Sequence, residues 1–210
     1  MIVIDYGMGN IGSILNMLKK IGVPAEVSTK PADLLRADKI ILPGVGAFDN
    51  AMRKLRDLGY AEVLEQRVLG DKVPILGVCL GMQLFGTASE EGQERGLGWL
   101  DAHSVRFRFD DADRRKVPHM GWNSIRVCRP SAIFADPEAP RRFYFVHSFH
   151  LQCSDPSDVL SLTDYGHEFV SGVCREHILG TQYHPEKSHR FGLEFFRAFA
   201  AWSPVSAPSR

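Results

Sequence analysis

Short apolar runs rich in valine and isoleucine at 2–4, 39–42 and 74–78 lack the polar alternation of a half-exposed strand. They predict strands buried on both faces, as in a parallel sheet. Between them the period changes. Over 10–21, Ile11, Ile14, Leu15, Leu18 and Ile21 recur at i, i+3, i+4, i+7 spacing before Gly22 and Pro24, the pattern of an amphipathic helix lying on the sheet. Segments 49–69 and 80–87 repeat the helical pattern, so the first ninety residues alternate strand and helix. This predicts an α/β fold: an open, wound, mostly parallel sheet flanked by helices, with a ligand crevice beyond the carboxyl ends of the strands. From 99 onward the texture becomes β-rich, at 103–109, 117–127, 143–149, 159–163, 169–175 and 178–183, before an amphipathic helix at 189–201. A mixed β extension of the sheet is expected there.

With 210 residues and 44% apolar content, the chain is large enough for one continuous core, and 1–202 reads as a single domain. The segment 203–210, SPVSAPSR, holds too little apolar surface to offset its ordering entropy and is expected to be a disordered tail. Basic and acidic residues balance at 25 each, so no net field favours nucleic acid or an anionic membrane. Four widely spaced cysteines with no CxxC pair argue against a zinc ribbon and a disulfide scaffold. No apolar run approaches the roughly 20 residues of a membrane span. A cytoplasmic setting is expected.

Gly77-Val78-Cys79-Leu80-Gly81 joins a predicted strand to a predicted helix. This is the G-x-nucleophile-x-G elbow with cysteine in place of serine. The flanking glycines permit a strained turn, and the helix start favours a thiolate at Cys79 and offers the Leu80 N–H to a developing oxyanion. A buried structural cysteine beside two turn glycines is the alternative. His184 ends the strand predicted at 178–183 and is followed by Pro185 and Glu186, a spacing that lets the carboxylate fold back on the imidazole. Taken alone, that triplet also suits a surface turn; together with the elbow it supplies the base and its orienting group. Pro43-Gly44-Val45-Gly46 lies at another carboxyl strand end, where the N–H of Val45 or Gly46 could be a second oxyanion donor, or the glycines could form a plain turn. His147 and His150, three apart in a predicted strand, face opposite ways and suit structural roles better than a shared metal. A rival signal is Gly7-Met8-Gly9-Asn10-Ile11-Gly12, a G-x-G-x-x-G match with Glu26 near the distance of a ribose-binding acid.

Together, DYGMGN at 5–10, PGVGAF at 43–48, GVCLGMQ at 77–83, VPHMGWN at 117–123, YFVHS at 144–148 and HPEKS at 184–188 resemble the class I glutamine amidotransferases, in family order over roughly 1–200. The resemblance implies a flavodoxin-like glutaminase with a Cys79–His184–Glu186 triad, needing neither cofactor nor metal. It implies glutamine gripped by Gln83, Glu91 and Ser148. Within the family, PGVG and GVCLGMQ look like the histidine-pathway branch, whose members pass ammonia to a separate (β/α)₈-barrel cyclase; Trp122, Tyr144 and Lys187 match positions lining that contact. HPEKSHRFG at 184–192 and YFVHSFH at 144–150 are similar instead to paralogues found with surface-polysaccharide genes, which serve a sugar amidotransferase. An inactive scaffold is a further alternative, against which retention of all three triad residues argues.

Overall fold

The computed structural model describes residues 1–110 and 115–204; the tail expected from 203 lies, from 205 onward, outside them. In chain order the elements are β1 (Ile2–Ile4), α1 (Ile11–Lys20), β2 (Glu26–Ser28), β3 (Ile40–Gly44), α2 (Phe48–Asp57), α3 (Tyr60–Leu64), β4 (Ile75–Cys79), α4 (Leu80–Gln83), β5 (Ala88–Ser89) and β6 (Ala102–Arg106). They continue with β7 (His119–Val127), β8 (Arg141–His147), β9 (Phe149–Cys153), β10 (Val159–Asp164), β11 (Glu168–Arg175), β12 (Ile178–Thr181) and α5 (His189–Ala201).

The sheet runs β2-β1-β3-β4-β12-β11-β10-β7-β8. Its first five strands are parallel, and the remainder pair antiparallel. β9 pairs with β6 and β11, off the main path. The fold is thus an α/β open sheet with a parallel core and a mixed β extension. Strand order reverses around β1, with β2 on one side and β3 on the other, which opens the crevice at the carboxyl ends of β1, β3 and β4.

Alternate residues of the parallel strands enter two cores. Ile2, Ile4, Ile40, Leu42 and Ile75 pack with Phe48, Leu55 and Tyr60 of α2 and α3. Val3, Ile41, Leu76 and Val78 pack on the other face with Ile14 and Leu18 of α1 and Phe195, Phe196 and Phe199 of α5. Near-continuous apolar runs in these strands follow directly from this double burial. Among the described residues no helix is long and apolar enough to cross a membrane.

Three element boundaries differ from the sequence reading. The helix expected over 49–69 is interrupted at Gly59, whose φ of +76° is left-handed, so α2 stops and α3 starts in a new direction. The helix expected over 80–87 ends at Gln83 because the carbonyls of Leu84, Phe85 and Gly86 accept N–H bonds from Leu97, Trp99 and Gly98, at 2.8, 2.9 and 2.9 Å. Phe85 also stacks on Trp99 at 5.2 Å. The single strand expected over 143–149 divides at Ser148: β8 stays with β7 while β9 leaves to pair with β6 and β11.

Candidate active site

Cys79 closes β4 with φ 55° and ψ −110°, a region that a non-glycine residue occupies only under strain, at a cost of about 1–3 kcal/mol. The strain follows from how closely the elbow presses on its neighbours. A Cβ at Gly81 would lie 2.0 Å from the Leu42 carbonyl oxygen, one at Gly44 would lie 2.5 Å from the Gly81 nitrogen, and one at Gly77 would lie 2.7 Å from Met82 N. Glycine is needed at all three positions for β3 and β4 to approach α4. The sulfur projects into a cavity of about 320 Å³.

Eight residues assigned to the site from the sequence line that cavity: Val45, Gly46, Cys79, Leu80, Gln83, Glu91, Ser148 and His184. Pro118, Val146, His147 and Phe149 complete it. The Cys79 thiol points its hydrogen toward the Val146 carbonyl at 4.0 Å. His184, 2% exposed, stands at the end of the segment after β12, and its Nδ1–H donates to Glu186 Oε1 at 2.7 Å. That bond fixes the tautomer, leaving Nε2 without a hydrogen-bond partner and available to the sulfur. Burial works to lower the His184 pKa, but the adjacent Cys79 sulfur and the Glu186 carboxylate outweigh it and push the imidazole up to about 10. The site therefore favours the protonated imidazole beside the Cys79 sulfur.

The His184 loop is clipped to β8. Its N–H donates to the Tyr144 carbonyl at 2.9 Å, forming an isolated bridge. Ser188 Oγ donates to the His184 carbonyl at 2.6 Å and accepts the Tyr144 N–H at 3.0 Å. Trp122, Tyr144 and Lys187 do not line the cavity; they gather on the adjoining surface, with the Lys187 ammonium 5.7 Å over the Tyr144 ring and Trp122 edge-on to it at 6.4 Å. Trp122 also stacks on His189 at 5.4 Å, and Met120 beside it is 62% exposed.

Gln83 and Glu91 are partly committed before any ligand arrives. Gln83 Nε2 donates to the Phe149 carbonyl at 2.9 Å and to Gln182 Oε1 at 3.0 Å, so only its amide oxygen is left for the cavity. Glu91 Oε2 accepts the Phe48 N–H at the start of α2, 2.9 Å away. Gln182 was not singled out from sequence, although an amide in a stretch buried on both faces is itself a signal, because it must find partners.

His147 points into the cavity as part of a neutral relay. Its Nδ1–H donates to the Phe149 carbonyl at 2.8 Å, its Nε2 accepts from His119 Nδ1 at 3.0 Å, and His119 Nε2 accepts from Asn123 at 3.3 Å. Burial holds His147 well below the usual histidine range and lowers His119 to about 4. Among the described residues no cluster of His, Cys, Asp or Glu could hold a metal ion.

The glycine-rich segment at 7–12 serves this site. The buried Tyr6 hydroxyl donates to the Pro43 carbonyl at 2.9 Å. A Cβ at Gly9 would lie 2.9 Å from Pro43 Cβ, and one at Gly46, at φ +99°, would lie 3.1 Å from Met8 Cε. In a dinucleotide fingerprint the third glycine permits close helix–strand packing; here Gly12 has nothing within 4 Å. Glu26, the candidate ribose ligand, is paired with Arg36.

Such an arrangement is suited to thiol-based acyl transfer: a cysteine on a strained turn, a buried histidine bonded to a carboxylate, and Leu80, Val45 and Gly46 lining the same cavity. Comparison with known proteins gives the family. Residues 2–201 match the family described as glutamine amidotransferase class-I. A Pseudomonas aeruginosa protein named imidazole glycerol phosphate synthase subunit HisH 2 is 49% identical over 198 residues, 94% of this chain and 97% of its own. A Methanococcus maripaludis protein of the same name is 44% identical, covering 94% and 96%. Among solved structures, one named glutamine amidotransferase superposes with a TM-score of 0.73 at 20% identity, covering 94% and 96%. A glutamine amidotransferase from Thermotoga maritima gives 0.63 at 16% identity, covering 94% and 80%. The chain belongs to the class I glutamine amidotransferases.

Proposed function

We propose that residues 1–202 form the glutaminase subunit of an imidazole glycerol phosphate synthase, releasing ammonia from glutamine for a separate (β/α)₈-barrel cyclase subunit in histidine biosynthesis, in the cytoplasm. The observation that carries the chemistry is the His184 imidazole, hydrogen-bonded to Glu186 on one nitrogen and open toward Cys79 on the other. The Cys79 sulfur attacks the side-chain carbonyl carbon of glutamine, and the oxyanion is held by the N–H groups of Leu80 and of Val45 or Gly46. His184 passes the thiol proton to the departing nitrogen, and ammonia leaves a glutamyl thioester. The same imidazole then takes a proton from water, which attacks the thioester, and glutamate departs as the thiol is restored. Gln83 through its amide oxygen, Glu91 and Ser148 grip the amino-acid end.

The names of the relatives support the pathway, and the exposed Met120 and Trp122 beside Tyr144 and Lys187 suit a docked partner. The test measures glutamate release by the purified chain, with and without a cyclase subunit, against Cys79→Ala. Low turnover alone, clear stimulation by the partner and none in the variant are expected; a partnered wild type no better than Cys79→Ala would refute the glutaminase. A second reading rests on HPEKSHRFG at 184–192 and YFVHSFH at 144–150, the segments similar to paralogues serving a sugar amidotransferase of surface-polysaccharide synthesis. Complementation of a histidine auxotroph that retains its cyclase separates the two.

A further inference from the structure

We infer that Gln182 is a positioning residue for the nucleophile: clamped by Gln83, its carboxamide donates an N–H to the Cys79 sulfur and steadies the thiolate. The inference rests on Cys79 being the nucleophile, as proposed above.

Register brings the two residues together. β12 runs parallel to β4 with Thr181 opposite Val78, so the next residue of each strand, Gln182 and Cys79, are neighbours at the carboxyl edge of the sheet. Gln182 is fully buried, and its backbone N–H is already used on the Ser171 carbonyl at 3.0 Å. Its side-chain Nε2 lies 3.6 Å from Cys79 Sγ, within range for a hydrogen bond to sulfur.

The orientation of that carboxamide is forced by a chain of bonds that starts at the backbone. The Phe149 carbonyl can only accept, so the Gln83 group 2.9 Å from it is the NH₂. The second N–H of that NH₂ reaches the Gln182 side chain at 3.0 Å, so the Gln182 atom facing Gln83 is the oxygen. Its NH₂ therefore faces the sulfur. Flipping Gln182 would set two NH₂ groups against each other and put a carbonyl oxygen against a thiolate, which no buried site tolerates cheaply.

A donor fixed on the sulfur acts twice in the reaction. It favours the thiolate before attack, and it receives the thiolate again when water expels it from the thioester. Hydrogen bonds to an ionised partner are stronger than neutral ones, and reactivity of a cysteine follows its thiolate fraction. A buried amide present only to fill space would affect neither step.

Alkylation by iodoacetamide, followed at each cysteine by peptide mass analysis, tests this without requiring glutamine to bind. Cys128, which is exposed, reports the general reactivity of the reagent. For Gln182→Leu the rate at Cys79 is expected to fall about tenfold or more at neutral pH, with its pH–rate profile moved to higher pH and Cys128 unchanged. Gln182→Glu, equal in size and therefore suited to the same space, is expected to be slower still because it sets a carboxylate against the sulfur. An unaltered rate and profile at Cys79 in folded Gln182→Glu overturns the inference while leaving the glutaminase reading intact. A wild-type Cys79 that alkylates no faster than Cys128 overturns both.

Discussion

Cys79 pays for its position with a left-handed backbone, and the value of that position depends on groups that are themselves held. Glu186 is the clearest case, because one carboxylate oxygen accepts the His184 Nδ1–H and the other is buried without a partner. Glu186→Gln preserves size but removes the charge that supports an imidazolium. Partnered glutaminase kcat is expected to fall on the order of 10³-fold with KM little changed; a loss under tenfold in steady-state kinetics would remove Glu186 from the machinery. At this scale the sequence was most legible where a residue type is rare for a reason. A cysteine between glycines, and a histidine two residues before a glutamate, each point to chemistry through spacing alone. Gln182 could be read from sequence only as an amide in need of partners; which partners it finds depends on the register of β12 on β4 and on Gln83, ninety-nine residues away along the chain.

Elements here are shaped by glycines whose reasons differ, and the difference is measurable. Gly81→Ala drives a methyl into the Leu42 carbonyl, a backbone atom that cannot step aside. It should cost several kcal/mol of folding free energy, on the order of 3. Gly12→Ala, on the exposed side of α1 with nothing nearby, should instead stabilise by about 0.5–1 kcal/mol through helix propensity. Urea denaturation of the two variants checks both signs, and a destabilised Gly12→Ala would revive a close-packing role for that glycine. Parallel strands and long helices were legible because their periods are written locally. The breaks at Gly59, after Gln83 and at Ser148 were not, because each depends on what the backbone meets elsewhere: the core that α2 and α3 share with the sheet, the 97–99 segment and the paired edges of β6 and β11.

Across the whole molecule, neutral histidines are built into the packing between the cavity and the β extension. His150 is lowered to about 4, chiefly by burial, as is His119. In the unfolded chain both take up protons near pH 6.5, whereas the folded chain refuses them until about 4. The unfolded state thus binds more protons over this window, and stability present above pH 6.5 is lost as pH falls toward 4, by about 3 kcal/mol per histidine at most. His184 acts in the opposite sense: its contribution is complete below pH 6.5 and is lost as pH rises through about 10, outside this window. Urea midpoints measured between pH 7.5 and 4.5 should decline in the wild type and decline less in His150→Phe. Equal slopes would show that His150 does not titrate on unfolding.

The bridge between Tyr144 and His184 makes the β7–β8 hairpin a lever. Its outer face presents Met120 and Trp122, while the Tyr144 backbone holds the loop that carries the imidazole, through one direct bond and two more by way of Ser188. A protein docked on that face would bear on the strand whose backbone bonds hold the His184 loop, and fractions of an ångström there would change how squarely Nε2 meets the sulfur. Contact at the outer face and the placing of His184 are thus joined through one strand's backbone, with no path through the core between them.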